Sequence, residues 1–495
     1  MKKTAFLLAL LMLLPALASC ADGGETEPKD AAPSTENASV GQSAGQSEQA
    51  PEPEETRPSH SVPESDFGGA EFIAAYPEWA GYSYYFFADE QTGDAMNDAI
   101  YERRLRVEDA VNVRIGQQSA GYIVEVVNEL KRSVQAGDDA YQMGLLHCIQ
   151  GVSELATGSY LYNLDELPNI DLSAGWWNQT MTDMLRLGSK TYYGVNDYMI
   201  PAPYCVYFNK DLVTRHQLDN PYDLVYEGEW TLDRFLSLAE SVTEDQNGNG
   251  QFDGEDTAGI VANDPSCYTS IVTGCGQYMT SRDEEGRVAL DMNTERMISI
   301  VEKLYGAANT PGVIQIPGSV SGGNMFAEGR ILFCLESIAG AIHFRDTEFD
   351  LGILPYPKFD TAQENYISLD WGGLMCVPAS IGNPEMVGAV IELLAYESAD
   401  TVIPAYYDVL LAGKLARDTD TVAMMDLLFD TIAYEIGGNY FGFSSGFNAL
   451  FYTLGNEVVG NKNPDFSSFY KRNEKSAAAT IKSFYKQLDK AESNP

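Results

Sequence analysis

The segment from Asp245 to Asp256 spaces oxygen-bearing side chains as a metal-binding loop would. They fall at positions 1, 3, 5, 9 and 12, and Gly250 is at position 6. This matches the calcium loop of an EF-hand, except that position 12 is Asp, which reaches less far than Glu. The alternative is an acidic surface turn, since Asn and Gly also form ordinary turns. We predict a structural Ca²⁺ site with the candidate ligands Asp245, Asn247, Asn249, Gln251, Asp253 and Asp256.

A second motif has the spacing of a catalytic serine. Residues 442–446 read GFSSG and fit the GxSxG pattern of serine hydrolases. In the α/β-hydrolase order the histidine follows the serine, whereas all four histidines precede Ser444. There is no HExxH zinc motif either. A glycosidase stays open as the enzyme alternative, because it needs only two carboxylates and the chain has 72 acidic residues.

Six cysteines follow Cys20, and none forms a CxxC pair, which argues against zinc-ribbon and thioredoxin-type sites. Disulfides can form outside the cell, and Cys267 with Cys275 is the closest pair, but sequence does not fix connectivity. We interpret the six as buried free thiols: Cys148, Cys205, Cys267, Cys275, Cys334 and Cys376.

The elements that must position such residues alternate between strands and helices. Apolar runs predict strands at residues 83–88, 113–115 and 142–147, and helical spacing predicts helices around Ile100 and Val127. This order predicts a parallel α/β sheet. The same pattern returns later, with strands at 206–208, 331–335 and 351–354, helices beginning near Thr231 and around Ile300, and a largely helical last hundred residues. We read Trp230 as packing against the helix that begins at Thr231.

The N-terminus has the pattern of an export signal. Lys2 and Lys3 precede an apolar run at residues 5–17 that is too short to span a bilayer. The run ends in Leu-Ala-Ser-Cys, which resembles the lipobox of bacterial lipoproteins and predicts lipidation, with palmitate among the acyl chains, at Cys20. We predict a signal peptide over 1–19 and a disordered Pro/Ser/Glu-rich stalk over 20–66.

The length and the net charge of the chain indicate how many lobes it folds into and which partners it does not bind. Residues 67–495 are too many for one ordinary core and suggest two packed lobes. No further apolar run is long enough to span a membrane, so contact with the membrane is expected through the lipid anchor alone. The formal net charge of -41 opposes nucleic acid and anionic lipid as partners.

Several separated stretches resemble the extracellular solute-binding proteins of family 1, the receptors of ABC importers that include maltodextrin and alginate-oligosaccharide binders. They are residues 93–103 (GDAMNDAIYER), 208–212 (FNKDL), 220–232 (NPYDLVYEGEWTL) and 350–366 (DLGILPYPKFDTAQENY). The resemblance implies a periplasmic-binding-protein-like α/β fold, in which two lobes close by a hinge on a ligand in the cleft between them. We predict lobe 1 at 67–200 and 373–430, lobe 2 at 201–372 and 431–495, and crossings near 200–206 and 371–377.

Sugar receptors combine flat aromatic platforms with amide and carboxylate groups. Position singles out Trp371 and Tyr204 at the predicted crossings, and Tyr268 shortly after the acidic loop, where sugar-binding relatives carry a cleft tyrosine. Further candidates for ligand contacts are Trp176, Trp177, His147, Gln150, Asn196, Glu336, Arg345, Asp370, Tyr440 and Phe443.

The resemblance therefore implies a monomeric receptor, lipid-anchored outside the cytoplasmic membrane, that delivers an oligosaccharide to ABC permease subunits without catalysis. The alternatives are a receptor for a peptide or another solute, a glycan-binding surface adhesin, and the carboxylate-pair glycosidase.

Overall fold

A computed structural model describes residues 58–78, 86–148, 150–195, 201–264, 266–315, 322–410, 418–442 and 446–493. The folded unit begins at Ser59, inside the predicted stalk. Val62 is buried, and the Asp66 carboxylate accepts the N–H of Gly68 at 2.8 Å and the amide of Asn112 at 2.6 Å. The last eight residues of the predicted stalk thus belong to the folded unit.

The described chain contains thirteen strands and sixteen α-helices. The strands are β1 (Ala70–Tyr76), β2 (Val113–Ser119), β3 (Met143–His147), β4 (Tyr204–Asn209), β5 (Ala258–Ala262), β6 (Thr280–Arg282), β7 (Val288–Leu290), β8 (Ile314–Gln315), β9 (Ile331–Ser337), β10 (Leu351–Leu354), β11 (Ser368–Leu369), β12 (Gly373–Cys376) and β13 (Ile432–Ala433). The α-helices are α1 (Ala95–Val111), α2 (Ile123–Ala136), α3 (Val152–Thr157), α4 (Gln179–Leu185), α5 (Lys210–Arg215), α6 (Pro221–Tyr226), α7 (Leu232–Ser241), α8 (Ser266–Gly274), α9 (Glu295–Asn309), α10 (Gly322–Ala327), α11 (Pro384–Ser398), α12 (Val402–Leu410), α13 (Thr419–Asp430), α14 (Ile436–Phe441), α15 (Phe447–Phe451) and α16 (Phe466–Ser493). Short 3₁₀ turns lie at Leu164–Glu166 and Ile338–Phe344, and a π-helical turn lies at Asn456–Gly460.

The first sheet has the strand order β12-β3-β1-β2. β1 pairs in parallel with β2 and β3, and β12 returns antiparallel to β3. α2 packs on this sheet through Val126, Val127 and Leu130. The approach is close at Gly144 of β3, where a Cβ would lie 2.5 Å from a Leu130 methyl. β3 is buried along its whole length and reads as an apolar run, whereas β2 at the edge of the sheet exposes Arg114 and Gln118.

The second sheet has the strand order β10-β4-β9-β5-β8. β5, β8 and β9 run parallel, and β4 runs antiparallel to both β9 and β10. α7 packs on β5, and its N-cap is Thr231, whose hydroxyl accepts the N–H of Arg234. Trp230 is buried against Phe235 and donates to the carbonyl of Pro355 at 2.9 Å, which confirms its packing role.

The helical C-terminal part connects to both sheets. α11 packs on α1 beside the first sheet, α13 packs on β10 of the second, and α16 contacts α3, β7 and α15. The lobe boundaries given above remain a prediction. None of the described helices is both long and apolar enough to cross a membrane.

The prediction of the first strand was wrong in its position. The first strand is Ala70–Tyr76, whereas residues 86–88 of the predicted 83–88 strand are not in a strand and 83–85 lie outside the described residues. Phe86 is buried, and its carbonyl accepts the guanidinium of the buried Arg103 at 2.6 Å.

Candidate functional site

Three chain segments connect the two sheets. Residues 201–203 lead into β4, residues 370–372 join β11 to β12, and β13 continues through Tyr434 into α14. The Asp370 carboxylate accepts the N–H of Ala202 at 3.0 Å and is hydrogen-bonded to the Tyr434 hydroxyl. Crossings were predicted near 200–206 and 371–377, and the predicted lobe boundaries also change between residues 430 and 431. The buried carboxylate of Asp370 therefore links its own segment, residues 370–372, to the other two segments.

The crossings place the carboxyl edges of the two sheets next to each other. β1, β2 and β3 end at this edge of the first sheet, where Gly373 of β12 pairs with His147. β5 and β9 end at the corresponding edge of the second sheet, where Tyr204 pairs with Ser337. In open α/β sheets, ligands bind outside the carboxyl ends of the strands. The candidate ligand site is therefore the space outside these two edges.

Four exposed or half-exposed residues at these edges were missed by the sequence reasoning. Tyr122 precedes α2 and is 54% exposed, while Glu78 follows β1 and Asn263 and Asp264 follow β5. The signal that could have found them is their place directly after a strand whose carboxyl end faces the crossings. Tyr122 has the flat apolar surface that a sugar ring stacks on.

Several predicted residues lie together on the first-sheet side of the crossings. Trp371 is buried edge-on against Phe451, with ring centroids 4.7 Å apart, and its carbonyl accepts the Cys148 thiol at 3.0 Å. His147 ends β3, and its carbonyl accepts the N–H of the half-buried Gln150 at 3.3 Å. Trp371 is thus a packed indole at the crossings, beside the edge that holds His147 and Gln150.

Tyr204, Tyr268 and Glu336 lie on the second-sheet side. The Tyr204 hydroxyl is 3.5 Å from the Ser266 hydroxyl at the start of α8. Tyr268 follows in the first turn of that helix, buried, with no hydrogen-bond partner for its hydroxyl among the described residues. Glu336 is half-buried and accepts the N–H of Ser337 at 2.7 Å. These three polar groups stand at one edge.

Burial shifts the proton affinities of the titratable groups around the crossings. It raises the pKa of Asp370 to about 6, against the effect of the backbone N–H donors that favour its charged form. It raises the pKa of Glu336 and lowers that of His147 to about 4. His147 is therefore neutral at pH 7 and supplies hydrogen-bonding groups without charge.

Three further candidates are placed in the interior. The indole N–H groups of Trp176 and Trp177 each donate at 2.9 Å to one oxygen of the fully buried Glu392 on α11. The hydroxyl of Tyr440 donates to the carbonyl of Leu185 at 2.6 Å. All three side chains are engaged in packing, and a ligand role for them stays a prediction.

Arg345 lies just beyond the 3₁₀ turn that follows β9, and it donates to the carbonyl of Val409 at 2.8 Å. Asn196, Phe443 and Ser444 lie outside the described residues, as does Cys20.

The backbone of the predicted calcium loop is held by hydrogen bonds to carboxylates of the same loop. Asp245 accepts the N–H groups of Gly248 at 2.7 Å and Gly250 at 2.8 Å, and Gly250 has the positive φ of +76° that this turn requires. Asp256 is buried and accepts two backbone N–H groups, from Gln246 at 2.9 Å and Asp253 at 2.8 Å. Among the described residues, no group of three or more His, Cys, Asp or Glu side chains is close enough to hold a metal ion. Calcium binding therefore stays a prediction.

All six cysteines beyond Cys20 are buried and unpaired, which confirms the interpretation as free thiols. Burial raises the pKa of each thiol, so none is an activated nucleophile.

Comparison with known proteins identifies the fold. No protein-family model matches the chain, and no curated protein does. Among solved structures, the ABC substrate-binding protein Lmo0181 from Listeria monocytogenes, in complex with cycloalternan, is 14% identical with a TM-score of 0.57 over 83% of this chain and 99% of that one. UgpB from Mycobacterium tuberculosis, in complex with glycerophosphocholine, is 15% identical with a TM-score of 0.57 over 84% and 99%. The maltodextrin-binding domain MalE from Bdellovibrio bacteriovorus, bound to maltotriose, is 12% identical with a TM-score of 0.55 over 83% and 100%. The chain has the two-lobed α/β fold of these solute-binding proteins.

Proposed function

We propose that the chain is the substrate receptor of an ABC importer and captures an oligosaccharide at the carboxyl edges of its two sheets. The observation that carries the proposal is the meeting of these edges at three short crossings, with the exposed Tyr122 on one side and Tyr204 and Asp264 on the other. The similar proteins bound to cycloalternan and maltotriose support sugar as the ligand class. The ligand is released intact, since the receptor binds without catalysis.

The proposal is tested by thermal unfolding of residues 21–495, which retain every described residue, against a panel of oligosaccharides and peptides. A ligand that binds only the native state raises the unfolding temperature by mass action. We expect a rise with one oligosaccharide class, recovered unchanged by mass spectrometry. A rise with peptides alone would contradict the sugar assignment, and a cleavage product would replace the receptor with an enzyme.

Tyr122 provides the matched test of the site. Removing the ring removes the apolar area that it would bury against the ligand, which is worth about 1 to 2 kcal/mol of binding free energy. Tyr122→Ala should therefore weaken binding roughly 5- to 30-fold. Tyr226→Ala is the control, because Tyr226 is 55% exposed but lies on α6, away from both edges. Equal effects of the two substitutions would place the ligand elsewhere.

We further propose that the chain is held outside the cytoplasmic membrane by a lipid on Cys20 and passes its ligand to permease subunits. Its support is the lipobox pattern and the similarity to ABC substrate-binding proteins. Cys20→Ser should abolish labelling by a palmitate analogue and release the protein into the medium. Disruption of the gene should abolish uptake of the labelled ligand, whereas an adhesin would leave uptake unchanged.

We also propose that residues 245–256 bind Ca²⁺ and stabilise the fold. The proposal is supported by the position of the oxygen side chains and the positive φ of Gly250. Asp245, Asn247, Asn249 and Asp253 would supply side-chain oxygens, and Gln251 its backbone carbonyl. The buried Asp256 closes the loop.

A further inference from the structure

The last helix, α16, carries a row of exposed lysines. Lys471, Lys475, Lys482, Lys486 and Lys490 follow one another at steps of four, seven, four and four residues, and all five are exposed. At about 3.6 residues per turn, these steps keep the five side chains within about 100° of one another around the helix. At a rise of about 1.5 Å per residue, the row is about 28 Å long. These five residues form the lysine row of α16.

The opposite face of α16 holds the helix against the fold. Phe469, Phe484 and Leu488 are buried, and the helix packs on α3, α9, α15 and β7. The Tyr485 hydroxyl accepts the N–H of Val288 at 2.8 Å. Because buried side chains lie towards both ends of the helix, the lysine row is a straight edge on a packed element.

Carboxylates do little to neutralise the lysine row. Between residues 466 and 490, α16 has two carboxylates, Glu474 and Asp489, against six cations, which are the lysine row and Arg472. Asp489 already pairs with Arg287 at 3.0 Å. Within the part of the chain that the structure describes, no ion pair joins a carboxylate to any of the five lysines. Positive charge is therefore concentrated on this helix, although the whole chain has a formal net charge of -41.

We propose that the lysine row lies on the anionic surface of a phospholipid bilayer and thereby fixes which side of the receptor faces the membrane. Charge complementarity sets the sign of the partner. The straight row on a convex helix sets its shape, because all five lysines reach an extended flat surface at once, whereas a small anion meets only one or two of them. The contact goes beyond solute capture and adds to the proposed lipid anchor.

The proposed lipid on Cys20 keeps such a surface within reach. Ser59, where the folded unit begins, follows Cys20 by 39 residues, a stretch that spans at most about 140 Å. Tethering makes the second contact intramolecular, so a weak attraction between the row and the bilayer is enough.

The net charge of the chain opposes the same surface, but screening limits how far that repulsion acts. At physiological ionic strength the screening length is about 8 Å. Lysines that touch the bilayer lie within this distance, whereas the carboxylates on the far side of the fold lie beyond it. Each lysine near an anionic surface strengthens binding roughly fivefold. Binding should vanish at about 1 M salt, where the screening length is about 3 Å.

The test measures sedimentation of residues 21–495 with vesicles at physiological ionic strength. We expect binding to vesicles that contain phosphatidylglycerol and none to vesicles of phosphatidylcholine alone, because only the former are anionic. The variant Lys471→Gln, Lys482→Gln, Lys486→Gln should bind about 100-fold more weakly, at roughly fivefold for each lysine. The variant Lys471→Arg, Lys482→Arg, Lys486→Arg keeps the charge and should bind like the wild type.

The control removes the same charge from exposed positions on α1, β2 and α5, with Arg106→Gln, Arg114→Gln and Arg215→Gln. It should bind like the wild type, and circular dichroism should show that every variant is folded. Unchanged binding of the lysine-to-glutamine variant, or an equal loss in the control, would overturn the proposal. Stronger binding to soluble polyphosphate than to vesicles at equal phosphate concentration would also overturn it, by giving the row to a soluble polyanion.

Absence of binding to either kind of vesicle would leave the lysine row as a solvated face and would likewise overturn the proposal. None of these results bears on the proposed function, because the test protein carries no lipid. Solute capture is measured separately by thermal unfolding, and lipidation of Cys20 by palmitate labelling.

Discussion

Glu392 should be one of the most sensitive positions in the protein. It is fully buried on α11 and accepts the indole N–H groups of Trp176 and Trp177, both at 2.9 Å. Glu392→Ala takes this acceptor from two buried donors, and an unsatisfied buried donor costs about 1 to 3 kcal/mol. The gross loss is about 2 to 6 kcal/mol. Burial raises the pKa of Glu392, which shows that its carboxyl group is poorly solvated, so removing this group offsets part of the loss in stability. We expect a net loss of about 3 kcal/mol.

The measurement is urea unfolding of residues 21–495, monitored by tryptophan fluorescence and circular dichroism. Glu392→Gln keeps one acceptor oxygen and should lose about 1 to 3 kcal/mol. Glu397→Gln, five residues along the same helix, is the control. Glu397 forms an exposed pair with Arg106 at 3.1 Å, which is worth about 1 kcal/mol or less. A loss below about 1 kcal/mol for Glu392→Ala would refute the reasoning and free both indoles for a ligand role.

Three further predictions concern pH, calcium and packing. Burial raises the pKa of Glu435 to about 7, so the folded state holds this proton more tightly than the unfolded state, and the free energy of unfolding falls as pH rises from about 4 through 7. Between pH 5 and pH 8, Glu435→Gln should therefore lose about 2 to 3 kcal/mol less stability than the wild type. An identical pH profile for the two proteins would contradict the assignment. At 10 mM, Ca²⁺ should stabilise the chain by about 1 to 3 kcal/mol for a dissociation constant of roughly 10⁻⁴ to 10⁻³ M, and Asp245→Asn should abolish the gain; an unfolding temperature insensitive to chelator would count against the site. Gly388→Ala would drive a methyl group into the backbone carbonyl of Pro168 and should lower the free energy of unfolding by about 2 kcal/mol or more. Gly306 is the control, because it lies in a helix with open space around it, and Gly306→Ala should stabilise the protein by up to about 1 kcal/mol. Equal effects of the two substitutions would show that the contact at Gly388 relaxes.

The sequence predicted helices and strands well where the spacing of apolar residues and the types of residue indicated the same element. Residues 351–354 form β10 as predicted, and the apolar spacing around Val127 gives α2, with Val126, Val127 and Leu130 buried. The strand at Ala70–Tyr76 was missed because three of its seven residues are alanine, whose side chains give a weak apolar signal beside the aromatic run that follows. Propensity favoured the aromatic residues, whereas sheet pairing decided the strand.

The site was predicted less well than the fold. Trp371 and Tyr204 were chosen from the predicted crossings. Trp371 packs against Phe451 and the Tyr204 hydroxyl lies 3.5 Å from that of Ser266, and their role in ligand binding stays a prediction. Trp176 and Trp177 were further candidates for ligand contacts, and a single buried glutamate more than 200 residues away accepts both indole N–H groups. Neither that distant contact nor the exposure of Tyr122 can be read from local sequence, because both depend on how the sheets are ordered.

The buried thiols give the protein a set of built-in reporters. Cys376 lies in β12 of the first sheet, and Cys205 and Cys334 lie in β4 and β9 of the second. Thiol reagents reach a buried cysteine only when its surroundings open, so labelling rates measure local opening. Mass spectrometry of the labelled peptides would thus read the stability of each sheet separately in the native sequence. Addition of a ligand would then show which sheet it holds together more strongly.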